Sequence, residues 1–316
     1  MSIYEYENRW ETSVTEENPS ISHDFALNKE KKLSPLISVN LHLTRACNYK
    51  CKFCFARFPD LKDSLPLHDA KKLIKAFSSF GTEKITFVGG EPLLYQGLGD
   101  LLVYTKKLGI TTMIVTNGSL LTPSFLEKFH RSIDWIGLSI DSAKEEIEHQ
   151  LGRYSPVFRS THVEHIRALV PIIRQYKTGL KVNTVVTRLN WTEDLSDLIE
   201  ELQPDRWKIF QVLKVTGEND QTVIPYVISH NQFTEFVKRH KHLNPVCESN
   251  DDLIGSYIMV DPAGRFFDNT KGYLQASQQI LNVGVTTALH QIQFSIQKLI
   301  QRGGLYEWNS TQQNQK

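Results

Sequence analysis

From Ile37 to Leu213 the chain alternates between short runs rich in β-branched and aromatic residues and longer runs with helical spacing of apolar residues. The strand-like runs are ISVNLHLT, KITFVGG, TMIVTNG, DWIGLSID, LKVNTVVT and RWKIFQVL, separated by stretches such as HDAKKLIKAFSSFG, LGDLLVYTKKLG, PSFLEKFH, EHIRALVPIIRQY and DLSDLIEELQP. Tight hairpins cannot bridge such separations, so successive strands must run parallel with right-handed crossovers. That places the chain in the α/β class, and six units rather than eight predict a partial (β/α)6 barrel. Thr122-Pro123 supplies an N-cap and a proline at the first helical position, while Gly81 and Gly109 stand where C-caps belong. Past residue 214 the alternation stops. A loop (VTGENDQTVIP), a helix near Asn231 to His240, a hairpin (SYIMVDPAGRFFDN) and a last helical segment follow. The expected organisation is an N-terminal arm over 1–33, the barrel over 34–214, and a C-terminal extension over 215–316 that closes the barrel.

Composition narrows the function classes. No run approaches the ~18 consecutive apolar residues of a membrane helix. The polar, acid-rich residues 1–33 carry neither a secretory signal nor an amphipathic anchor, so a soluble, cytoplasmic protein is expected. A net charge of +1, from 36 basic and 35 acidic residues, removes any global electrostatic case for nucleic-acid binding. Cys47, Cys51 and Cys54 lie too close together for staples, and this spacing reads as metal ligation in a reducing compartment. Cys247, the remaining thiol, is expected to be buried and inert.

The cysteine run follows the first strand directly, and active sites of such barrels gather at the strand C-termini. Structural zinc takes four ligands, whereas three thiolates on a four-iron cluster leave one iron open to a substrate. CxxxCxxC with Phe53 before its last cysteine resembles the radical SAM signature. The resemblance implies a [4Fe-4S] cluster whose open iron chelates S-adenosylmethionine, an electron donor of flavodoxin or ferredoxin type, and release of a 5′-deoxyadenosyl radical. It also implies cofactor contacts from Phe53, from Gly89, Gly90 and Glu91 after the second strand, and from Asn117, Ser139 and Arg153 further on. The bare glycines would allow close backbone approach, and the Glu91 carboxylate would pair with the methionine ammonium. Asn117 and Ser139 suit ribose hydroxyls, and Arg153 suits a carboxylate.

Side chains two apart on a strand share a face. Asn40, His42 and Thr44 do so, as do Lys181 with Asn183 and Arg206 with Lys208, while Lys84 opens the second strand. Strands of a parallel barrel should be almost wholly apolar, and unpaired cations there are costly. Few acidic residues stand in these strands, so a polyanion, best a triphosphate, is the expected partner.

The chain is similar to the viperin family, specifically its prokaryotic-type members, from about Ser38 to Trp308. The match is carried by NLHLTRACNYKCKFCF, KITFVGGEP, TNGSL, LGR, KVNTVVTRLN, RWKIFQVL followed by GEN, CESN, SYIMVD and RGGLYEW. It implies that Asn40, His42, Lys84, Lys181, Asn183, Arg206 and Lys208 line a nucleoside triphosphate site. Catalytic roles would fall to Lys181 and to Tyr257, the latter as hydrogen or proton donor. The implied reaction removes the 4′ hydrogen of a ribonucleoside triphosphate and expels the 3′ hydroxyl as water. Its 3′-deoxy-3′,4′-didehydro product would terminate viral RNA synthesis. Three features depart from animal members: Ala56-Arg57-Phe58 after the cysteines, DNTKGYLQAS after the hairpin, and the lack of an amphipathic helix in residues 1–33. They leave base preference and membrane attachment open. The competing readings are a radical SAM enzyme that modifies a peptide or matures a cofactor, and a non-catalytic triphosphate-binding scaffold.

Overall fold

The computed structural model describes residues 34–154 and 161–308, so the expected arm over 1–33 lies outside them. All the alternating runs form the elements expected. Strands β1 (Ser38–His42), β2 (Lys84–Val88), β3 (Thr111–Thr116), β4 (Trp135–Ser139), β5 (Gly179–Val186) and β6 (Arg206–Gln211) pair in parallel in chain order. Helices α1 (Leu67–Ser79), α2 (Leu98–Lys107), α3 (Pro123–Phe129), α4 (Glu145–Leu151), α5 (His162–Gln175) and α6 (Ser196–Leu202) lie among the crossovers. Helix α1 buries Ala70, Leu73, Ile74 and Phe77, an i, i+3, i+4, i+7 stripe that packs against the sheet. Thr122 caps α3 by accepting a hydrogen bond from the Phe125 amide, with Pro123 at the first helical position. Gly81 and Gly109 adopt φ of +80° and +75° just past their helices.

The extension does more than cover an incomplete barrel. After α7 (His230–Arg239) it contributes β7 (Val246–Glu248), parallel to β6, and β8 (Ile258–Val260), parallel to β1 on the opposite flank. Eight consecutive strands are therefore parallel, and β9 (Arg265–Asp268) and β10 (Gln275–Gln279) add an antiparallel edge beside β8. The expected hairpin is β8–β9. Among the described residues, no ladder of backbone bonds joins β7 to β8. Residues 249–257 link them, and the sheet curls far enough for side chains of its two flanks to meet. Side chains bridge the gap: Tyr257, just before β8, donates to Glu248 on β7 and accepts from Lys208 on β6. The sheet itself stays open there, and a polar seam of side chains spans the opening.

Candidate active site

Inside this curl lies a cavity of about 340 Å³ that runs from the strand C-termini down the inner strand faces. Cys47, Cys51, Cys54, Phe53, Gly89, Gly90, Asn117, Ser139 and Arg153 line it, and so do Asn40, His42, Lys84, Lys181, Asn183, Arg206, Lys208 and Tyr257. Of the residues the sequence singled out for this site, Glu91 and Thr44 are absent from the lining.

The three thiols sit on a loop tied down at two points. The Lys50 and Lys52 amides donate to the carbonyls of Gly152 and Leu151 at the end of α4, at 3.2 and 2.9 Å. Gly152 has φ +82°, and a Cβ there would stand 2.3 Å from the Lys50 carbonyl oxygen. On the other side, the Gly90 and Glu91 amides donate to the Thr44 and Ala46 carbonyls at 2.6 and 2.8 Å. A Cβ on Gly90 would lie 2.2 Å from the Ala46 carbonyl oxygen, so the bare glycine serves the approach of two loops as much as that of a ligand.

The thiols fit an iron–sulfur cluster. A single ion would gather its sulfurs at about 2.3 Å from one centre, whereas a four-iron cube anchors each thiolate on a different iron. The Tyr49 amide donates to the Cys47 sulfur at 3.4 Å, a contact that favours the thiolate form of a ligand. Burial pushes the Cys47 thiol up to about 11 and raises Cys51 and Cys54 as well, so metal binding must displace their protons.

Glu91 lies just outside the lining. It is 1% exposed, and its oxygens accept from the Leu93 amide, the Thr116 hydroxyl and the Asn117 amide at 3.0, 2.7 and 2.9 Å. Burial pushes its carboxyl up to about 7 despite those bonds. With its oxygens engaged beneath the cavity, Glu91 fixes the glycine loop to the end of β3; sequence spacing could not show which way the side chain would turn. Arg153 does face the cavity, packed over Phe53 at 5.4 Å, but it is paired with buried Asp141 behind it. Asn117 bonds Asn48 and Ser119, which sets its amide at the cavity edge. Thr44, expected on the face of Asn40 and His42, instead bonds Ser64 and the Ala46 amide outside the lining.

Further down, pairing in register sets Lys181 beside Arg206 and Asn183 beside Lys208, so charge stacks in adjacent rungs. Burial, reinforced by their neighbours' charges, holds the Lys84 and Lys181 ammoniums well below their ordinary value. Burial likewise lowers Lys208 to about 7, in spite of its ion pair with Glu248. Burial alone would push Glu248 up, but the charges of Lys208 and Arg302 hold it below the ordinary carboxylate value. His42 is lowered by burial to about 3 and is neutral, edge-on to Phe58 and Phe267. Among the described residues, the Asn183 side-chain oxygen, His42 Nδ1 and Arg206 Nε are buried and find no partner. Orphaned polar atoms at such a wall suit a polar ligand.

Three residues were missed. Arg302 joins the cationic wall and bonds Glu248 at 3.1 Å and the Ser256 carbonyl. Tyr306 lies under Lys84 and Arg206, 4.6 and 4.2 Å from ring centre to charge. Glu248 anchors the seam. Arg302 and Tyr306 stand in RGGLYEW and Glu248 in CESN, so the motif signal was present. An arginine at the end of a helix, here Ile296–Gln301, ordinarily reads as a surface cap.

The chain matches the family model described as Radical SAM superfamily over residues 41–202, a span that takes in the half-buried thiol triplet and the glycine loop. Solved structures agree on the fold. One is anSMEcpe with bound AdoMet, with TM-score 0.65 and 17% identity over 81% of this chain and 80% of that one. Another is Streptococcus suis SuiB bound to S-adenosylmethionine, with TM-score 0.59 and 18% identity over 74% of this chain and 60% of that one.

Curated relatives named S-adenosylmethionine-dependent nucleotide dehydratase narrow this further. The protein of Flammeovirga pacifica is 44% identical over 86% of this chain and 96% of its own length, and that of Lacinutrix mariniflava 43% over 91% and 62%. The chain thus spans less than two thirds of the Lacinutrix protein. A Danio rerio relative, named S-adenosylmethionine-dependent nucleotide dehydratase RSAD2, is 37% identical over 86% of this chain and 78% of its own length. The chain belongs to this nucleotide dehydratase family, the viperins, within the radical SAM superfamily, whose cofactors are a [4Fe-4S] cluster and S-adenosylmethionine.

Proposed function

We propose that this chain dehydrates a ribonucleoside triphosphate to its 3′-deoxy-3′,4′-didehydro analogue. The 4′ hydrogen is removed, the 3′ hydroxyl takes up one proton and leaves as water, and one electron closes the 3′,4′ double bond. A nucleotide lacking that hydroxyl cannot be extended by a polymerase, which supports a role in antiviral, here antiphage, defence. The observation that carries the reading is the wall of Lys84, Lys181, Arg206, Lys208 and Arg302 in a cavity continuous with the three thiols.

From Lys84 to Val88 is about 13 Å at ~3.3 Å per residue, so phosphates held low on the strands bring a ribose close to the strand ends. Cys47, Cys51 and Cys54 would hold the cluster, and Phe53, Gly89, Gly90, Asn117, Ser139 and Arg153 would hold S-adenosylmethionine. Bound there, the cofactors supply a radical strong enough to take a ribose hydrogen. The cationic side chains fix the phosphates, and Asn40, His42 and Asn183 meet the nucleoside, which orients the reacting hydrogen. Lys181, with no hydrogen bond of its own among the described residues, is ready for phosphate contact. Tyr257 holds a proton between Lys208 and Glu248, which suits it to supply the closing hydrogen or proton. The barrel would end near residue 214, with the extension supplying Glu248, Tyr257 and Arg302. A flavodoxin- or ferredoxin-type donor and a cytoplasmic location complete the proposal. In its support, no helix among the described residues is long and apolar enough to cross a membrane.

Anaerobically reconstituted enzyme with reductant should release 5′-deoxyadenosine faster when one of ATP, CTP, GTP or UTP is added, and mass spectrometry should find a product lighter by one water. Lys181→Ala should raise the nucleotide requirement and leave uncoupled cofactor cleavage intact. Cleavage indifferent to every nucleotide would sink the reading and favour a peptide-modifying enzyme.

A further inference from the structure

The lower wall of the cavity carries more positive charge than its own carboxylates neutralise. Lys84, Lys181, Arg206, Lys208 and Arg302 line it, and among the described residues no Asp or Glu faces the cavity with them. Glu248 stands behind the wall, bonded to Lys208 and Arg302. Five cations less that one carboxylate leave four charges once every lysine is protonated. A nucleoside triphosphate carries about four negative charges when free of metal and roughly two when complexed with Mg2+.

Resting on the nucleotide reading above, we propose that the substrate enters as the metal-free anion, the protein's cations doing what Mg2+ does for triphosphates elsewhere. The donor inventory agrees with the charge count. Mg2+ takes oxygen ligands in an octahedron, commonly one or two carboxylates with waters and phosphates. The carboxylate of Glu248 is already committed to Lys208, Arg302 and Tyr257. Asn183 offers a buried, unpartnered amide oxygen, enough for a sugar hydroxyl and too little for an ion that needs charge. Repulsion points the same way. Lys84, Lys181, Arg206 and Lys208 each feel their neighbours' charges, and a dication among them would add repulsion with no free anion to offset it.

The test is calorimetric and needs no turnover. Anaerobic, cluster-loaded enzyme with S-adenosylmethionine and no reductant is titrated with ATP, CTP, GTP and UTP in turn. One arm is magnesium-free; the other holds excess MgCl2, with ionic strength matched by KCl. The apparent Kd should rise by about tenfold or more with Mg2+, and the two arms should coincide when plotted against free nucleotide. A smaller rise, or tighter binding with Mg2+, overturns the proposal and leaves the nucleotide reading standing. No binding of any nucleotide in either arm overturns both.

Discussion

Glu248→Gln tests the electrostatic logic of the site most directly. The carboxylate accepts from Lys208, Arg302 and Tyr257, and the Lys208 and Arg302 side chains are only 4% and 5% exposed. Removing one member of such a buried ionic cluster costs about 3–5 kcal/mol, because the remaining charges lose their partner without regaining water. Lys208, already lowered to about 7 by burial, can shed its proton above neutral pH and soften the loss. The cost should therefore fall toward the lower bound at pH 8 and the upper bound at pH 6. At roughly 2–4 °C per kcal/mol for a domain of this size, unfolding should shift down by about 6–20 °C. Triphosphate offers the orphaned cations a new counter-charge, so nucleoside triphosphate should raise the unfolding temperature of the variant more than that of the wild type. Scanning fluorimetry of the cluster-loaded proteins, with and without nucleotide at pH 6 and pH 8, reads both effects. A variant that unfolds within about 2 °C of wild type, with an equal nucleotide response, would refute the counter-ion assignment.

Gly90→Ala should separate the two loops that meet at Ala46, costing about 1–3 kcal/mol and lowering the iron–sulfur absorbance recovered on reconstitution; unchanged absorbance would show that the loop contact is dispensable. Burial leaves Lys208 near 7 in the free protein, and Lys84 and Lys181 well below ordinary, so binding a polyanion must raise all three. Calorimetry at pH 8 in buffers of different ionisation enthalpy should therefore report net proton uptake on nucleotide binding, and uptake of none would contradict the phosphate roles. His42 and His162 are held neutral by burial, at about 3 against an ordinary 6.5. The unfolded chain binds more protons over that window, so their contribution is whole above pH 6.5 and lost as pH falls toward 3. Each should cost on the order of 3 kcal/mol by pH 4.5, and denaturant titrations from pH 7 to pH 4.5 on wild type and His42→Gln would show whether the acid loss shrinks in the variant.

The barrel strands, the thiol triplet and the cationic faces of β5 and β6 were legible in the sequence because each is a local pattern. A strand repeats every two residues, so Lys181 with Asn183 and Arg206 with Lys208 had to share faces, and barrel strands have an inside. Lys84 was legible only as a cation at a strand start. Long-range geometry decided the rest. Sequence could not show that Glu91 meets three donors, from the end of β3 and from its own turn, because folding alone brings them together. Arg302 could have been a solvated helix end until the chain folded back across the seam. The counter-ion arrangement needs β6, β7, the residue before β8 and the last helix in one place. Sequence by itself determined which segments form strands and which residues can hold metal and phosphate, since those follow from covalent spacing and side-chain chemistry. Only the tertiary structure decided how many of the cations stay unpaired, because charge balance in a buried site is a sum over groups far apart in the chain.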